Sequence, residues 1–137
     1  MDHLLDTATT GPFYLRRPEI AEMVIDAIRY RDPGHYHLHS FVVMPNHVHL
    51  LVTPRVPLSQ IMQSLKRFTA RKGNLILGFT GQPFWQDENF DRVVRNQREF
   101  NRIVSYIETN PVKAGIVTTP EEFPFSSASR PLATQLT

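Results

Sequence analysis

The sequence contains no cysteine. This excludes a disulfide framework and any metal site built from thiolates. It also lacks an apolar run long enough to cross a bilayer, about 20 residues, and it does not begin with a signal-peptide pattern, so no membrane partner is expected. The absence of internal repeats and low-complexity tracts excludes a repeat architecture.

The chain also has little excess of charge of one sign, with a formal net charge of +2 over 137 residues. Such a balance does not by itself indicate a nucleic-acid partner, so that inference depends on where the basic side chains lie. Hydrophobic residues make up 41% and charged residues 20% of the chain, as in ordinary globular proteins. We therefore expect a single domain over residues 1–137 with a substantial core.

The strongest pattern is a pair of apolar runs on either side of Pro45 and Asn46. The stretch 42–52 is typical of a β-hairpin with a tight turn at these two residues. His47 and His49 lie two residues apart on its second arm, so their side chains share one face of the strand. Two imidazoles on a rigid strand can chelate one metal ion; the alternative is two histidines that only happen to lie on a sheet surface.

The hairpin register also predicts what surrounds these histidines. Met44 lies opposite His47, and Val42 lies opposite His49, so the floor of the site should be apolar. Two further histidines fall on the opposite face by this register: His37 and His39.

Apolar residues at helical spacing predict three helices, over about 18–31, 58–73 and 96–109. The hairpin 36–53 is expected in the middle of an antiparallel sheet, with the first two helices packed on it. Residues 1–17 look irregular.

The region after the second helix predicts two short strands, 84–86 and 90–94, around a turn. Phe84 and Trp85 could stack on nucleic-acid bases, although core packing is the more common role of such side chains. Three acidic side chains in and just after the turn are candidates for extra metal ligands, although acidic residues are common at turns without such a role: Asp87, Glu88 and Asp91.

Two groups of basic and polar side chains lie on the predicted helices. Arg102, Tyr106 and Asn110 are spaced by four on the third helix, so they share a flank. From spacing alone, a boundary tyrosine and a helix-ending asparagine before Pro111 are the simpler explanation of this group. On the second helix, the basic residues could be a solvated face or a set of phosphate contacts: Lys66, Arg67, Arg71 and Lys72.

Four separated blocks, 41–51, 63–66, 84–86 and 106–117, resemble the IS200-like single-tyrosine transposases in sequence and order. Within that family the blocks most resemble the REP-associated tyrosine transposases, and the family itself resembles other HUH nucleases. The resemblance implies an α+β fold with a ferredoxin-like antiparallel sheet and helices. Because the relatives begin with another strand upstream of Leu5 and Asp6, the first strand could be missing here.

The resemblance also implies roles for individual residues. His47 and His49 match the family's metal pair, which binds Mg²⁺ or Mn²⁺, and Asn110 occupies the polar position that completes that site. Tyr106 matches the nucleophile that attacks a DNA phosphate. The candidates for DNA contacts are Lys66, Arg67, Arg71 and Arg102.

The function implied is cleavage and strand transfer of single-stranded DNA with hairpins, through a 5′-phosphotyrosine intermediate. A monomer or homodimer in the bacterial cytoplasm, associated with the nucleoid, would fit that activity. Two alternatives stay open. The chain could be a non-catalytic DNA-binding module that keeps the fold, or a metal-dependent phosphodiesterase that uses water instead of Tyr106.

Overall fold

The computed structural model describes residues 1–9 and 13–132. Its strands and helices are, in chain order, β1 (Asp2–Thr9), α1 (Pro18–Tyr30), β2 (Tyr36–Val43), β3 (His47–Pro54), α2 (Leu58–Leu77), β4 (Trp85–Val94) and α3 (Gln97–Lys113). Short 3-10 turns lie at Tyr14–Arg16 and Pro120–Glu122. Within these ranges no helix is long and apolar enough to cross a membrane.

The four strands form one sheet in the order β2-β3-β1-β4, and every neighbouring pair is antiparallel. From β1 to β4 the order of strands and helices is strand, helix, strand, strand, helix, strand. This order of elements and strands is the ferredoxin-like arrangement, so the predicted fold class is confirmed. Helix α3 is an addition after that unit.

Two details of the predicted sheet are wrong. Asp2–Thr9 form a strand rather than an irregular segment, so the first strand is present. Because β1 lies between β3 and β4, the hairpin is not the middle of the sheet, and its arm β2 is an edge. The segment 2–9 has few apolar residues, and its strand depends on pairing with partners on both sides.

The sheet separates two apolar cores. The larger core lies under α1 and α2, and its biggest fully buried side chains are Leu15, Ile20, Ile25, Ile28, Tyr36, Phe41, Ile61 and Phe84. The smaller core lies under α3, and it includes Leu4, Val42, Leu51, Ile103 and Ile107. Helix α3 is therefore fixed on the face of the sheet that α1 and α2 leave uncovered.

Helix α1 matches its prediction, whereas α2 continues past the predicted end at residue 73 to Leu77. Gly73 lies inside the helix, and the Phe84 ring packs against it where a side chain would otherwise lie. A Cβ at this position would come within 2.6 Å of Phe84 Cε1. The helix ends at Gly78, whose φ of 76° is a conformation that glycine adopts without strain.

Strand β4 is one continuous strand, not the two short strands that the sequence predicts. Its pairing with β1 shifts register between Thr7 and Thr9, where Thr9 pairs with Trp85. The irregularity lies in the pairing and does not interrupt the strand.

The base-stacking interpretation of Phe84 and Trp85 is also wrong, because both side chains are buried in the larger core. The Phe84 ring stacks on Tyr14 with centroids 5.7 Å apart. Trp85 Nε1 donates a hydrogen bond of 2.8 Å to Thr69 Oγ1 on α2. These contacts anchor the start of β4 between α2 and the first 3-10 turn.

The open edge of β2 is partly covered by the chain that follows α3. Val43 N–H donates to the Phe125 carbonyl at 2.8 Å, and Ser127 N–H donates to the Phe41 carbonyl at 2.9 Å. Pairing of this kind satisfies backbone groups that an exposed edge strand would leave open.

Candidate active site

His47 and His49 lie on β3 with their rings together, 4.7 Å between centroids and 71° between planes. Val42 pairs with His49, and Met44 N–H donates to the His47 carbonyl at 2.8 Å, so the predicted register is confirmed. Both Val42 and Met44 are buried. The floor under the histidines is therefore apolar, as predicted.

Asp6 is a member of this site that the sequence did not indicate. It lies directly opposite His49 across the β1–β3 pair, and its carboxylate accepts a hydrogen bond from His49 Nδ1. His49 is only 6% exposed, and its Nε2 has no hydrogen-bond partner within the described part of the chain. A carboxylate on one ring nitrogen fixes the tautomer and leaves the lone pair of the other nitrogen for a ligand.

His47 is held by two amide side chains. Its Nδ1 donates to Asn46 Oδ1 at 2.8 Å, and the side chain of Asn110 is a second hydrogen-bond partner. Burial and the neighbouring His49 lower the pKa of His47, although Asp6 and Asn110 oppose the shift. Since the ordinary pKa is already 6.5, His47 is mainly neutral at pH 7, and the neutral form is the one that binds metal ions.

Tyr106 on α3 lies over this pair. Its ring centroid is 5.4 Å from that of His49, with 64° between the planes. The neighbouring Ile103 and Ile107 are buried and fix the helix, whereas Tyr106 itself is 42% exposed. The phenol is therefore held at the histidines and open to a ligand from solvent.

Helix α3 does not end at Asn110, contrary to the simpler interpretation of that residue. The Asn110 carbonyl accepts the N–H of Ala114 at 3.0 Å, and Pro111 is buried inside the helix. Packing of Pro111 outweighs the preference of its preceding residue for extended backbone. Asn110 therefore stays one turn after Tyr106, where its side chain contacts His47.

This donor set fits a partly open site for a divalent cation. In residues 1–9 and 13–132, with the side chains at 9 and 87–89 set aside, no three His, Asp or Glu side chains are grouped to hold a metal ion. Two imidazoles and the Asn110 amide are present. The Nε2 atom of His49 is buried without a hydrogen-bond partner among the described residues, and a bound ligand would satisfy it. Hard cations such as Mg²⁺ keep several waters or phosphate oxygens in addition to a few protein ligands.

A comparison with known families agrees with this arrangement. The family model described as "Transposase IS200 like" matches residues 18–110, more than half of the chain. The chain belongs to the IS200-like transposase family.

Relatives of this IS200-like transposase support the resemblance to the REP-associated branch. The REP-associated tyrosine transposase of Escherichia coli (strain K12) is 28% identical over 110 residues, which are 77% of this chain and 62% of the relative. This chain thus spans less than two thirds of that relative's length.

Two solved structures share the fold. The structure of a REP-associated tyrosine transposase bound to a REP hairpin matches with a TM-score of 0.74 and 21% identity, over 94% of this chain and 77% of that one. A crystal structure of a putative transposase from Deinococcus radiodurans R1 matches with a TM-score of 0.58 and 23% identity, over 79% and 88% of the two chains.

The acidic residues proposed as extra ligands in this IS200-like transposase do not join the site. Asp91 pairs with Leu5 on the face turned to α1 and α2, and its carboxylate lies 2.7 Å from His3 Nδ1. The prediction of Asp91 as a ligand is therefore wrong. The side chains of Asp87 and Glu88 lie outside the described residues.

His39 lies on the same face as His49, so the prediction that placed it on the other face is wrong. A β-bulge between Leu38 and Ser40 shifts the register of β2 and turns His39 towards α3. There its ring meets the edge of Phe100, with centroids 5.2 Å apart. His37 pairs with Thr53, two residues on from Leu51, which places it on this face as well.

The four basic residues predicted to contact DNA in this IS200-like transposase lie on opposite faces of the sheet. Lys66, Arg67 and Arg71 lie on α2, on the face turned away from the histidines, and Lys66 Nζ donates to the Gln86 carbonyl at 2.8 Å. Arg102 is exposed on α3, one turn before Tyr106. Only Arg102 is on the helix that carries the tyrosine.

Proposed function

We propose that this IS200-like transposase cleaves and rejoins single-stranded DNA beside hairpins through a covalent 5′-phosphotyrosine at Tyr106. The observation that carries the proposal is the contact between Tyr106 and His49, whose ring centroids lie 5.4 Å apart. Membership of the transposase family supports DNA transposition as the process. The related structure bound to a REP hairpin supports hairpin DNA as the class of substrate.

A phenol with an ordinary pKa of about 10 is a weak nucleophile at neutral pH. Mg²⁺ or Mn²⁺ held by His47, His49 and Asn110 would polarise the scissile phosphate and stabilise the charge that develops on it. The role of Asp6 is to orient His49 through Nδ1, so that Nε2 points away from the carboxylate.

The bond changes assigned to Tyr106 balance without a further reactant. Its oxygen attacks phosphorus, the phenolic proton leaves, and the bond to the 3′ oxygen breaks. The products are a 5′-phosphotyrosine ester and a DNA strand with a free 3′-hydroxyl, whose oxygen has gained a proton. In the reverse step a DNA 3′-hydroxyl attacks the ester, which reforms the phosphodiester and releases Tyr106 without ATP.

The contact between Tyr106 and His49 lies within one chain. This supports a site that one subunit completes, whether the protein is a monomer or a homodimer. Arg102, one turn before Tyr106, is suited to hold a phosphate of the same strand.

The test is incubation with labelled, hairpin-bearing single strands and Mn²⁺, resolved on a denaturing gel. The wild type should form a covalent protein–DNA adduct. Tyr106→Phe removes one oxygen, so the variant should stay folded and bind the strands without forming the adduct. Tyr30→Phe, which alters an exposed tyrosine on α1, is the matched control and should keep full activity. Adduct formation by Tyr106→Phe at the wild-type rate would contradict the mechanism.

The second candidate is a DNA-binding protein of the same fold that does not cleave. The small number of protein donors favours it, since within the described ranges no three His, Asp or Glu side chains are grouped so that they could hold a metal ion. This candidate predicts hairpin binding with no adduct in the wild type. Cleavage that releases strands free of protein would instead indicate water as the nucleophile.

A further inference from the structure

A cavity of about 450 Å³ opens beside His47. This lies within the range of small-molecule sites, roughly 300–1,000 Å³. The turn before His47 forms one side of it, with Pro45 and Asn46. The other sides come from Phe13, Leu15 and Arg16 and from the chain after α3, including Ile116.

Two large hydrophobic side chains on the walls of this cavity are open to solvent. Phe13 is 47% exposed and Ile116 is 45% exposed, whereas Met44 and Phe123, deeper in the walls, are buried. Apolar side chains left open on a concave surface are typical of a ligand site.

Phe13 is held in an unfavourable backbone conformation. Its φ of 62° is in the left-handed region, which bulky side chains rarely adopt. The Leu15 N–H donates to the Pro45 carbonyl at 2.9 Å, and the Arg16 N–H donates to the Phe13 carbonyl at 3.0 Å. These bonds tie the segment to the turn that precedes His47. Strain of this kind persists where the surrounding structure fixes it, and it is frequent at ligand sites.

The charge of the cavity favours an anionic ligand with an apolar body. Arg16 lies over the Phe13 ring, with its guanidinium carbon 5.6 Å from the ring centroid. Among the described residues that line the cavity, Arg16 is the permanently charged side chain and none is acidic. An aromatic surface beside a cation is how proteins bind single-stranded nucleic acid, with the base stacked and the phosphate paired.

We infer that this cavity takes one unpaired nucleobase of the DNA strand next to the scissile phosphate. The base stacks on Phe13 within the apolar walls, and Arg16 pairs with the phosphate of the same nucleotide. The inference rests on the proposed function, because it names a feature of the substrate at that same site. A strand cleaved at the foot of a hairpin has unpaired bases to offer, and a pocket for one of them fixes which phosphate reaches Tyr106.

The experiment titrates the isotope-labelled full chain, without metal, with each of the four deoxynucleoside 5′-monophosphates. 2-Deoxyribose 5-phosphate, which lacks only the base, is the control ligand. At least one nucleotide should shift the methyl resonances of Met44 and Ile116, and the sugar phosphate should not. Absence of shifts at these methyls, or equal shifts with the sugar phosphate, would overturn the inference.

Two variants assign the binding to the cavity. Phe13→Ala removes the stacking surface, and Ala114→Trp fills the cavity from an exposed position in its wall. Each should raise the nucleotide Kd about five-fold or more. Tyr30→Ala removes an exposed aromatic ring from α1 and should leave the Kd unchanged. If Phe13→Ala does not fold, Ala114→Trp alone decides, and a wild-type Kd in that variant would overturn the inference.

Failure of this inference and failure of the proposed function give different results. The titration needs neither metal nor the Tyr106 hydroxyl. Nucleotide shifts at the cavity support the inference even if no covalent adduct forms. An adduct formed by a protein whose cavity shows no shifts would remove the inference and leave the proposed function standing.

Discussion

The carboxylate of Asp6 on β1 accepts a hydrogen bond from Nδ1 of His49 on the neighbouring strand β3. The other ring nitrogen of His49 is buried and unpartnered within the described residues. The first strand is thus more than a support for the sheet, since it carries the group that orients one of the two site histidines.

Asp6→Asn should lower the affinity for Mn²⁺ about 10- to 100-fold, the usual effect of removing a group that orients a ligand. Isothermal titration calorimetry measures the affinity, and ¹⁵N chemical shifts of the imidazole report whether the tautomer of His49 changes. Asp2→Asn makes the same charge change on the same strand, where the Asp2 carboxylate accepts from Thr53 Oγ1. That control should bind Mn²⁺ like the wild type. Wild-type affinity in Asp6→Asn would exclude an orienting role.

Local patterns were sufficient to predict the hairpin, its register and the shared face of His47 and His49. They were not sufficient for Asp6, because its contact depends on pairing between strands 43 residues apart in sequence. The bulge at His39 was missed for a related reason: alternation predicts a regular strand, and only the pairing with β3 and the packing against Phe100 reveal the shift. The proximity of Tyr106 to the histidines came from the family resemblance and not from spacing.

Gly73→Ala should destabilise the fold, because the added Cβ would lie 2.6 Å from Phe84 Cε1 in the packed core. Forcing an extra carbon into a packed core costs typically about 1–3 kcal/mol. Urea unfolding followed by circular dichroism gives the change in the free energy of unfolding. Gly34→Ala is the matched control, since its Cβ would meet nothing within 4 Å. Equal stability of the two variants would show that the contact between α2 and Phe84 is looser than described.

Acidification should destabilise the protein in part through His39. Burial lowers the pKa of His39 below 6.5, and the nearby His37 adds to the shift, while Asp2 and Asp32 oppose it. Between that lowered value and 6.5 the unfolded chain binds the proton more readily than the folded one. The contribution of His39 to stability is therefore complete above pH 6.5 and is lost as the pH falls through the lowered pKa.

His39→Gln should consequently lose less stability than the wild type between about pH 7.5 and 5.5. Urea unfolding at both pH values measures the two losses, and comparing them cancels the contribution of the other histidines. An equal loss in the variant and the wild type would mean that His39 does not titrate differently in the folded protein.

Arg102→Gln should weaken the binding of hairpin-bearing single strands, because Arg102 lies one turn before Tyr106 on the face that carries the histidines. The logarithm of the binding constant falls linearly with the logarithm of the salt concentration, and loss of one phosphate contact should make this slope less steep by about 0.7. Fluorescence anisotropy at several salt concentrations gives this slope. Arg71→Gln removes the same charge from α2, on the far side of the sheet, and should change neither the slope nor the yield of covalent adduct. If Arg71→Gln weakens binding as much as Arg102→Gln, the DNA reaches both faces of the sheet, and α2 belongs to the interface after all.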